Sequence, residues 1–145
     1  MMFLTRHEGN KFIVFVFLFI GLILIDQGTK LLAKNIFINE NFAFSLPLPV
    51  WLMYPFYFVV IAWLFYNLKK NFYELRITSR WALVLILAGA VSNFAERLIF
   101  GHVKDFIYIK FLGLVGIYNL ADFYILLGII LVLCYGLTTN QKKLE

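Results

Sequence analysis

The sequence predicts an all-α membrane protein with four transmembrane helices and a small extended, β-like segment on the outer membrane surface. Of its 145 residues, 63% are hydrophobic and only 14% are charged. The mean hydropathy is +0.87, well above the range of soluble domains. The apolar residues form four long blocks, and two connections between the blocks alternate apolar and polar residues. Together these features predict a helical bundle in a membrane with short extended connections.

Each apolar block is long enough to cross a hydrocarbon core, which takes about 20 helical residues. We predict spans at residues 12–32, 50–68, 81–99 and 120–137, which form one integral membrane domain over residues 1–145. The first block has no small-residue cleavage site and continues into "DQGTK". It therefore predicts a retained helix rather than a cleaved signal peptide.

The basic residues predict the orientation of the bundle. They are concentrated before the first block, between the second and third blocks, and in the tail. These positions are Arg6, Lys11, Lys69, Lys70, Arg76, Arg80, Lys142 and Lys143. Because positive flanks stay in the cytoplasm, both termini and the middle loop are predicted to be cytoplasmic. The net charge of +5 thus reflects topology, and no nucleic-acid partner is expected.

Both outer connections are predicted to be extended and to lie on the membrane surface. The first, "NIFINENFAFSLPLP", spaces apolar residues with polar ones and ends with Pro47 and Pro49. The second includes "HVKDFIYIKFL", whose alternation is typical of a strand. One face of that strand is predicted to hold Val103, Asp105, Ile107 and Ile109.

Two polar groups at the predicted outer helix ends have both structural and functional interpretations. Asp26 and Lys30 are spaced i to i+4, so they share one helix face. They form either an ion pair that anchors the helix end or part of a substrate site. Asn39, in the first outer connection, fits turn chemistry or the same site.

The stretch "GAVSNFAERL" places a polar stripe at the end of the third span. Asn93, Glu96 and Arg97 fall at i, i+3 and i+4, behind a notch of small residues at Gly89 and Ala90. Such a notch lets another helix approach closely. The stripe is either functional or a pair of charges, Glu96 and Arg97, that neutralise each other near the interface.

Asp105 and Asp122 are the two acids that the topology places at the same outer level. Asp105 follows the third span and Asp122 begins the fourth, and these helices run antiparallel. Asn119 offers an N-cap three residues before Asp122, which gives that aspartate a purely structural interpretation. No such interpretation accounts for Asp105, which lies on the apolar face of its strand.

A pair of carboxyl groups in apolar surroundings predicts acid–base chemistry. They cannot both ionise cheaply, so one proton is shared. One group then acts as a base on water while the other polarises a carbonyl, which predicts a peptide-bond hydrolase at the outer surface. The single Cys134 excludes an internal disulfide. The scarcity of histidine and cysteine argues against a metal site, and no cofactor is expected.

The ordered motifs "DQGTK", "NENFAFS", "GAVSNFAERL", "GHVKDF" and "YNLAD" resemble those of the bacterial lipoprotein signal peptidase family, the type II signal peptidases. The resemblance covers nearly the whole chain. It implies that Asp105 and Asp122 are a catalytic aspartyl dyad. It also implies that a set of polar residues holds the dyad, the substrate or each other. This set is Asp26, Lys30, Asn39, Asn93, Arg97 and Asn119, with Glu96 where the family has aspartate.

The same resemblance implies a substrate and a location. The expected substrate is a prolipoprotein whose cysteine carries diacylglycerol, cut on the amino side of that cysteine. The expected location is the bacterial cytoplasmic membrane, with the active site at the outer side, among membrane lipids. We expect the chain to act as a monomer.

Several residues depart from the family pattern, and we expect an active but divergent enzyme with an altered substrate preference or reduced activity. Glu96 replaces an aspartate, Ser92 a glycine, and Phe123 a small hydroxyl residue. Asn41 and Phe42 replace a glycine and an alanine. The longer Glu96 is expected to re-aim its carboxylate, and the two phenylalanines to narrow the cleft.

Two other functions remain open from the sequence. The first is a non-catalytic membrane protein that binds lipids or lipidated peptides. The second is a proton-linked carrier, since acids in membranes often mark proton paths. The carrier is disfavoured because the acids cluster at one side and no span has one near its middle.

Overall fold

The computed structural model describes residues 6–41, 48–111 and 114–136, and within these ranges it contains four α-helices and two small antiparallel sheets. In chain order the elements are α1 (Arg6–Leu32), β1 (Phe37–Asn39), α2 (Val50–Asn71), α3 (Ile77–Phe100), β2 (Val103–Asp105), β3 (Ile107–Phe111), β4 (Leu114–Tyr118) and α4 (Leu120–Tyr135). The predicted class, an all-α membrane protein with small extended segments, is confirmed.

The helices match the predicted spans with shifts at their ends. Three helices, α1 to α3, are long and apolar enough to cross a membrane, whereas α4 is a shorter apolar helix of 16 residues. The third span was predicted to begin at residue 81, but α3 already begins at Ile77 because the polar residues before the apolar block continue the helix. The predicted end of the fourth span, residue 137, lies outside the described residues.

The central element is α3, which packs against each of the other three helices. Glycines let α4 approach it closely. A Cβ at Gly89 would lie 2.3 Å from the Ala121 carbonyl oxygen of α4. A Cβ at Gly128 of α4 would lie 2.7 Å from the Ala82 carbonyl oxygen of α3. The predicted small-residue notch at Gly89 and Ala90 therefore receives the first turn of α4.

The other two long helices expose large apolar side chains. Phe17 and Leu24 on α1, and Trp51 and Phe58 on α2, are each at least 65% exposed. A soluble protein rarely presents so much apolar surface, but the hydrocarbon of a bilayer covers it at no cost.

The two connections that were predicted to be outer meet in a sheet. β1 pairs antiparallel with β2, with Phe37 opposite Asp105 and Asn39 opposite Val103. The prediction of one continuous strand face from Val103 to Ile109 is wrong. Val103 and Asp105 are buried, but the strand breaks at Phe106, and Ile109 belongs to β3 and is exposed. The Phe106 N–H instead donates to the Tyr118 carbonyl, 3.0 Å away, which redirects the chain into the β3–β4 hairpin.

Candidate active site

Most of the sequence-predicted site residues lie together at the end of the bundle that carries the β1–β2 sheet. Seven of them are at most 4% exposed: Asp26, Lys30, Asn93, Glu96, Arg97, Asp105 and Asn119. Asn39 and Asp122 are half-buried. Charged groups removed from solvent must be paired or hydrogen-bonded, and the contacts below account for most of them.

Asn119 links the two aspartates. Its side-chain Nδ2 donates to Asp105 Oδ1 at 2.6 Å, and its backbone N–H donates to Asp122 Oδ2 at 3.1 Å. In return, Asn119 Oδ1 accepts the backbone N–H of Asp122 at 3.0 Å. This reciprocal capping box confirms Asn119 as the N-cap of α4. The predicted capping contact of Asp122 is therefore present, and the same asparagine also contacts the carboxyl group of Asp105.

Asp105 is held by amides from two sides. Asn39 Nδ2 donates to Asp105 Oδ2 at 2.8 Å, opposite the contact from Asn119. Burial raises the pKa of the Asp105 carboxyl above its ordinary value. The two amide hydrogen bonds oppose this rise in pKa, as do the nearby positive charges of Lys30 and Arg97. The β1–β2 pairing is what brings Asn39 beside Asp105.

Lys30 organises the helix side of the site. Its ammonium lies 2.8 Å from Asp26 Oδ2 and 2.8 Å from Glu96 Oε2. It also donates to Asn93 Oδ1 at 2.9 Å. Because its oxygen is engaged by Lys30, Asn93 presents Nδ2 to Asp122 Oδ1, 2.9 Å away. The predicted i to i+4 ion pair of Asp26 and Lys30 is therefore present, and it connects to Asp122 through Asn93.

The alternative in which Glu96 and Arg97 neutralise each other is wrong. Glu96 contacts Lys30 instead and also accepts the Lys104 backbone N–H at 3.4 Å. Neighbouring residues on a helix point about 100° apart, which sends these two side chains to different partners. The extra methylene of Glu96 is accommodated because its carboxylate reaches α1.

Asp26 ties α1 to both α3 and α4. Its Oδ1 accepts the Ala121 backbone N–H at 2.9 Å, in the first turn of α4. Its Oδ2 accepts the Ser92 hydroxyl at 2.6 Å. Gln27 Nε2 in turn donates to Ser92 Oγ at 2.9 Å. No role was predicted for Gln27, and Ser92 was named only as a departure from the family pattern; the polarity of both residues within apolar helices was the available signal.

Arg97 is held by two tyrosines that the sequence did not single out. The Tyr54 hydroxyl donates to the Arg97 carbonyl at 2.8 Å, and the guanidinium lies 5.5 Å from the centre of the Tyr57 ring. Arg97 Nη2 donates to the Asn41 carbonyl. Its Nε and Nη1 are buried without a hydrogen-bond partner among the described residues. The i, i+3 spacing of Tyr54 and Tyr57 was the signal that could have revealed one face of α2.

The residues that depart from the family pattern make different kinds of contact. Phe123, beside Asp122, packs its ring edge-on against Tyr118 of β4, with centroids 6.3 Å apart. Asn41 contributes its backbone carbonyl, which any residue could supply. Phe42 lies outside the described residues. The Phe123 ring therefore packs against the β3–β4 hairpin.

Fold and site together define a class: a four-helix membrane protein with two amide-supported aspartates gathered at one end of the bundle. The sequence pattern of the family described as signal peptidase (SPase) II matches residues 18–138, so the chain belongs to that family. The resemblance stated from the motifs is confirmed.

Individual relatives agree with this membership. The chain is 38% identical over 86 residues to a lipoprotein signal peptidase of Bartonella tribocorum, covering 58% of this chain and 49% of that protein. It is 35% identical over 113 residues to one of Borrelia duttonii, covering 73% of this chain and 63% of that protein. The chain thus spans between about half and two thirds of the length of these relatives.

A solved structure described as a bacterial membrane enzyme has the same fold. It superimposes with a TM-score of 0.69 at 24% identity, covering 91% of this chain and 93% of that one. At this level of identity the similarity establishes the fold alone.

Proposed function

We propose that this protein is an aspartyl endopeptidase that removes the signal peptide from diacylglyceryl-modified prolipoproteins. It cuts on the amino side of the lipidated cysteine. The observation that carries the proposal is the bridge made by Asn119, which donates to Asp105 at 2.6 Å and to Asp122 at 3.1 Å. Family membership supplies the substrate class.

The chemistry needs one carboxyl group protonated and the other ionised. The ionised group takes a proton from water as the water oxygen bonds to the scissile carbonyl carbon, and the protonated group gives its proton to the carbonyl oxygen, which forms a neutral geminal diol. The C–N bond of the resulting diol then breaks, and the leaving nitrogen receives a proton from the pair. Protons balance within the two carboxyl groups and water, so no cofactor takes part.

The surroundings of the two carboxyl groups favour a state in which one is protonated and the other is ionised. Burial raises the pKa of Asp105, so a proton is retained more easily on the pair. The amides of Asn39, Asn93 and Asn119 fix the carboxyl oxygens, so little reorganisation is needed during the reaction.

Substrate binding uses the same end of the bundle. The buried Nε–H and Nη1–H groups of Arg97 are available to donate hydrogen bonds to carbonyl oxygens of the bound peptide. The extended peptide lies along the β1–β2 sheet, and the lipid chains lie among the helices, so remote contacts hold the scissile bond over the pair. We place this end at the outer face of the bacterial cytoplasmic membrane, with both termini cytoplasmic, and the chain acts as a monomer.

The proposal is tested by cleavage of a diacylglyceryl-modified prolipoprotein in proteoliposomes. We expect Asp105→Asn and Asp122→Asn each to lower kcat by about 10²–10⁴-fold, because each removes one of the groups that transfer the proton. Glu40→Gln is the matched control, since Glu40 is an exposed acid of the same outer connection. That variant is expected to cleave like the wild type.

Two outcomes would contradict the proposal: wild type that does not cleave the lipidated substrate, or aspartate variants that cleave as fast as wild type. A wild-type protein that binds the lipidated peptide without cutting it would instead support the non-catalytic lipid-binding alternative.

A further inference from the structure

Ser92 lies at the junction of three helices, and its hydroxyl is fully engaged. The residue is 0% exposed on α3. Its Oγ donates to Asp26 Oδ2 at 2.6 Å and accepts Gln27 Nε2 at 2.9 Å, both on α1. With one donor and one acceptor contact made, the hydroxyl cannot rotate freely. It therefore fixes the carboxylate that it contacts.

That carboxylate holds the start of α4. Asp26 Oδ1 accepts the N–H of Ala121 at 2.9 Å, one residue before Asp122. This N–H belongs to the first turn of α4, where backbone donors have no partner within the helix. Asp26 thus caps α4 from another helix. Any tilt of the Asp26 carboxylate moves the backbone that carries Asp122.

The balance of charges explains why a hydroxyl is needed. The ammonium of Lys30 is shared between the carboxylates of Asp26 and Glu96, each at 2.8 Å, and its third N–H goes to Asn93 at 2.9 Å. One cation therefore faces two carboxylates, and all its donors are used. Asp26 Oδ2 needs a second donor in these buried surroundings, and Ser92 supplies it.

We propose that Ser92 is a positioning residue for Asp122, acting through Asp26 and, together with Glu96, keeping Lys30 centred in the site. Without the hydroxyl, Lys30 is drawn towards Asp26 and away from Asn93. The Asn93 contact to Asp122 then loosens, as does the cap on Ala121. The inference rests on the proposed function.

The test is a double-mutant cycle with steady-state cleavage kinetics of the diacylglyceryl-modified substrate. We expect Ser92→Ala to lower kcat about tenfold with little change in KM, because the substrate does not touch Ser92. Ser92→Cys keeps the approximate size of the side chain, but its thiol is a weak hydrogen-bond donor. Its kcat is therefore expected to lie between those of wild type and Ser92→Ala. Because both residues act on one ion pair, Ser92→Ala combined with Glu96→Gln should lower kcat by less than the product of the single effects.

Ser79→Ala is the matched control. Ser79 is also a buried serine of α3, 1% exposed, but it contacts the Gly136 carbonyl at the other end of the bundle. The kcat and KM of the Ser79→Ala variant are expected to equal those of wild type. Thermal unfolding of every variant shows whether a loss of activity comes from unfolding of the protein or from displacement of Asp122.

The inference is overturned if folded Ser92→Ala keeps the wild-type kcat, if only its KM changes, or if the double variant shows the full product of the single effects. These outcomes require an active wild type. Absence of cleavage by wild type would refute the proposed function instead, so the two failures are distinguishable.

Discussion

Asparagine side chains determine how the two aspartates are presented. Side-chain amides of Asn119 and Asn39 donate to Asp105, the Asn93 amide donates to Asp122, and the backbone N–H of Asn119 also donates to Asp122. An amide donates hydrogen bonds without adding charge, so it orients a carboxyl group and favours its ionised form without neutralising it. The amide contacts to Asp105 thus oppose the rise in its pKa that burial causes.

The amide of Asn39 is expected to control the pH dependence of the reaction. Its hydrogen bond to Asp105 favours the ionised carboxylate, so Asn39→Ala removes a contact that lowers the pKa. The pKa of Asp105 then rises further. The group stays protonated at pH values where it is ionised in wild type, and the limb of the pH–rate profile that Asp105 governs moves to higher pH. Because the pair titrates together, the profile reports apparent values for both groups.

Profiles of kcat against pH for the two proteins provide the measurement. Asn67→Ala is the control, because Asn67 lies on α2 and its side chain donates to the Trp63 carbonyl at 2.8 Å, in a contact that does not involve the carboxyl pair. An unchanged profile in Asn39→Ala, or a shift to lower pH, would contradict the assignment.

The α3–α4 pair is the element on which the site depends most. α4 carries Asn119 at its N-cap and Asp122 in its first turn, and α3 carries Asn93. Close approach of these helices is possible because glycines face the partner backbone. In hydrocarbon, association between helices relies on such close packing since water exclusion contributes little.

Gly128→Ala is expected to destabilise the protein. The new Cβ would lie 2.5 Å from Ile86 Cγ1 and 2.7 Å from the Ala82 carbonyl oxygen, so the helices must separate. Overpacking of this kind costs about 1–3 kcal/mol. Thermal unfolding in detergent measures the change.

Gly21→Ala is the control for helix propensity. A Cβ at Gly21 meets nothing within 4 Å, and alanine favours the helix over glycine by about 1 kcal/mol. This variant should be as stable as wild type or more stable. If Gly128→Ala were as stable as Gly21→Ala, the close approach of α3 and α4 would not be required for stability.

At the scale of the whole molecule, the two ends of the bundle differ in the charged residues that they carry. One end holds the carboxyl pair and the β1–β2 sheet. The other holds the basic α2–α3 connection, where Arg80 donates to the carbonyls of Tyr73 and Leu75 and lies over the Phe72 ring. The positive-inside rule predicts that this basic end lies on the cytoplasmic side.

Cysteine labelling in spheroplasts tests this orientation. In a Cys134→Ala background, a membrane-impermeant maleimide should label Glu40→Cys and Tyr108→Cys while the membrane is intact. It should label Glu74→Cys only after the membrane is opened. All three native residues are exposed, so access to the reagent depends on the side of the membrane. Labelling of residue 74 alone in intact spheroplasts would reverse the orientation and move the site to the cytoplasmic side.

The sequence by itself determined the membrane class, the approximate spans, the N-cap at Asn119 and the pairing of Asp26 with Lys30. Each of these depends on residues within one turn or one apolar block, where spacing fixes geometry. The strand break at Phe106 was not predictable, because alternation of apolar residues continues through it while the hydrogen-bond partner changes from β1 to β4.

Only the tertiary structure decided how the polar residues are connected. The contacts of Asp26 with Ala121, Lys30 with Glu96, and Asn39 with Asp105 join residues far apart in the chain. Such partners depend on how each helix is rotated and how closely it packs, which the glycine contacts between α3 and α4 set here. A sequence gives each helix its polar face, but the faces that meet are chosen by the packing of the whole bundle.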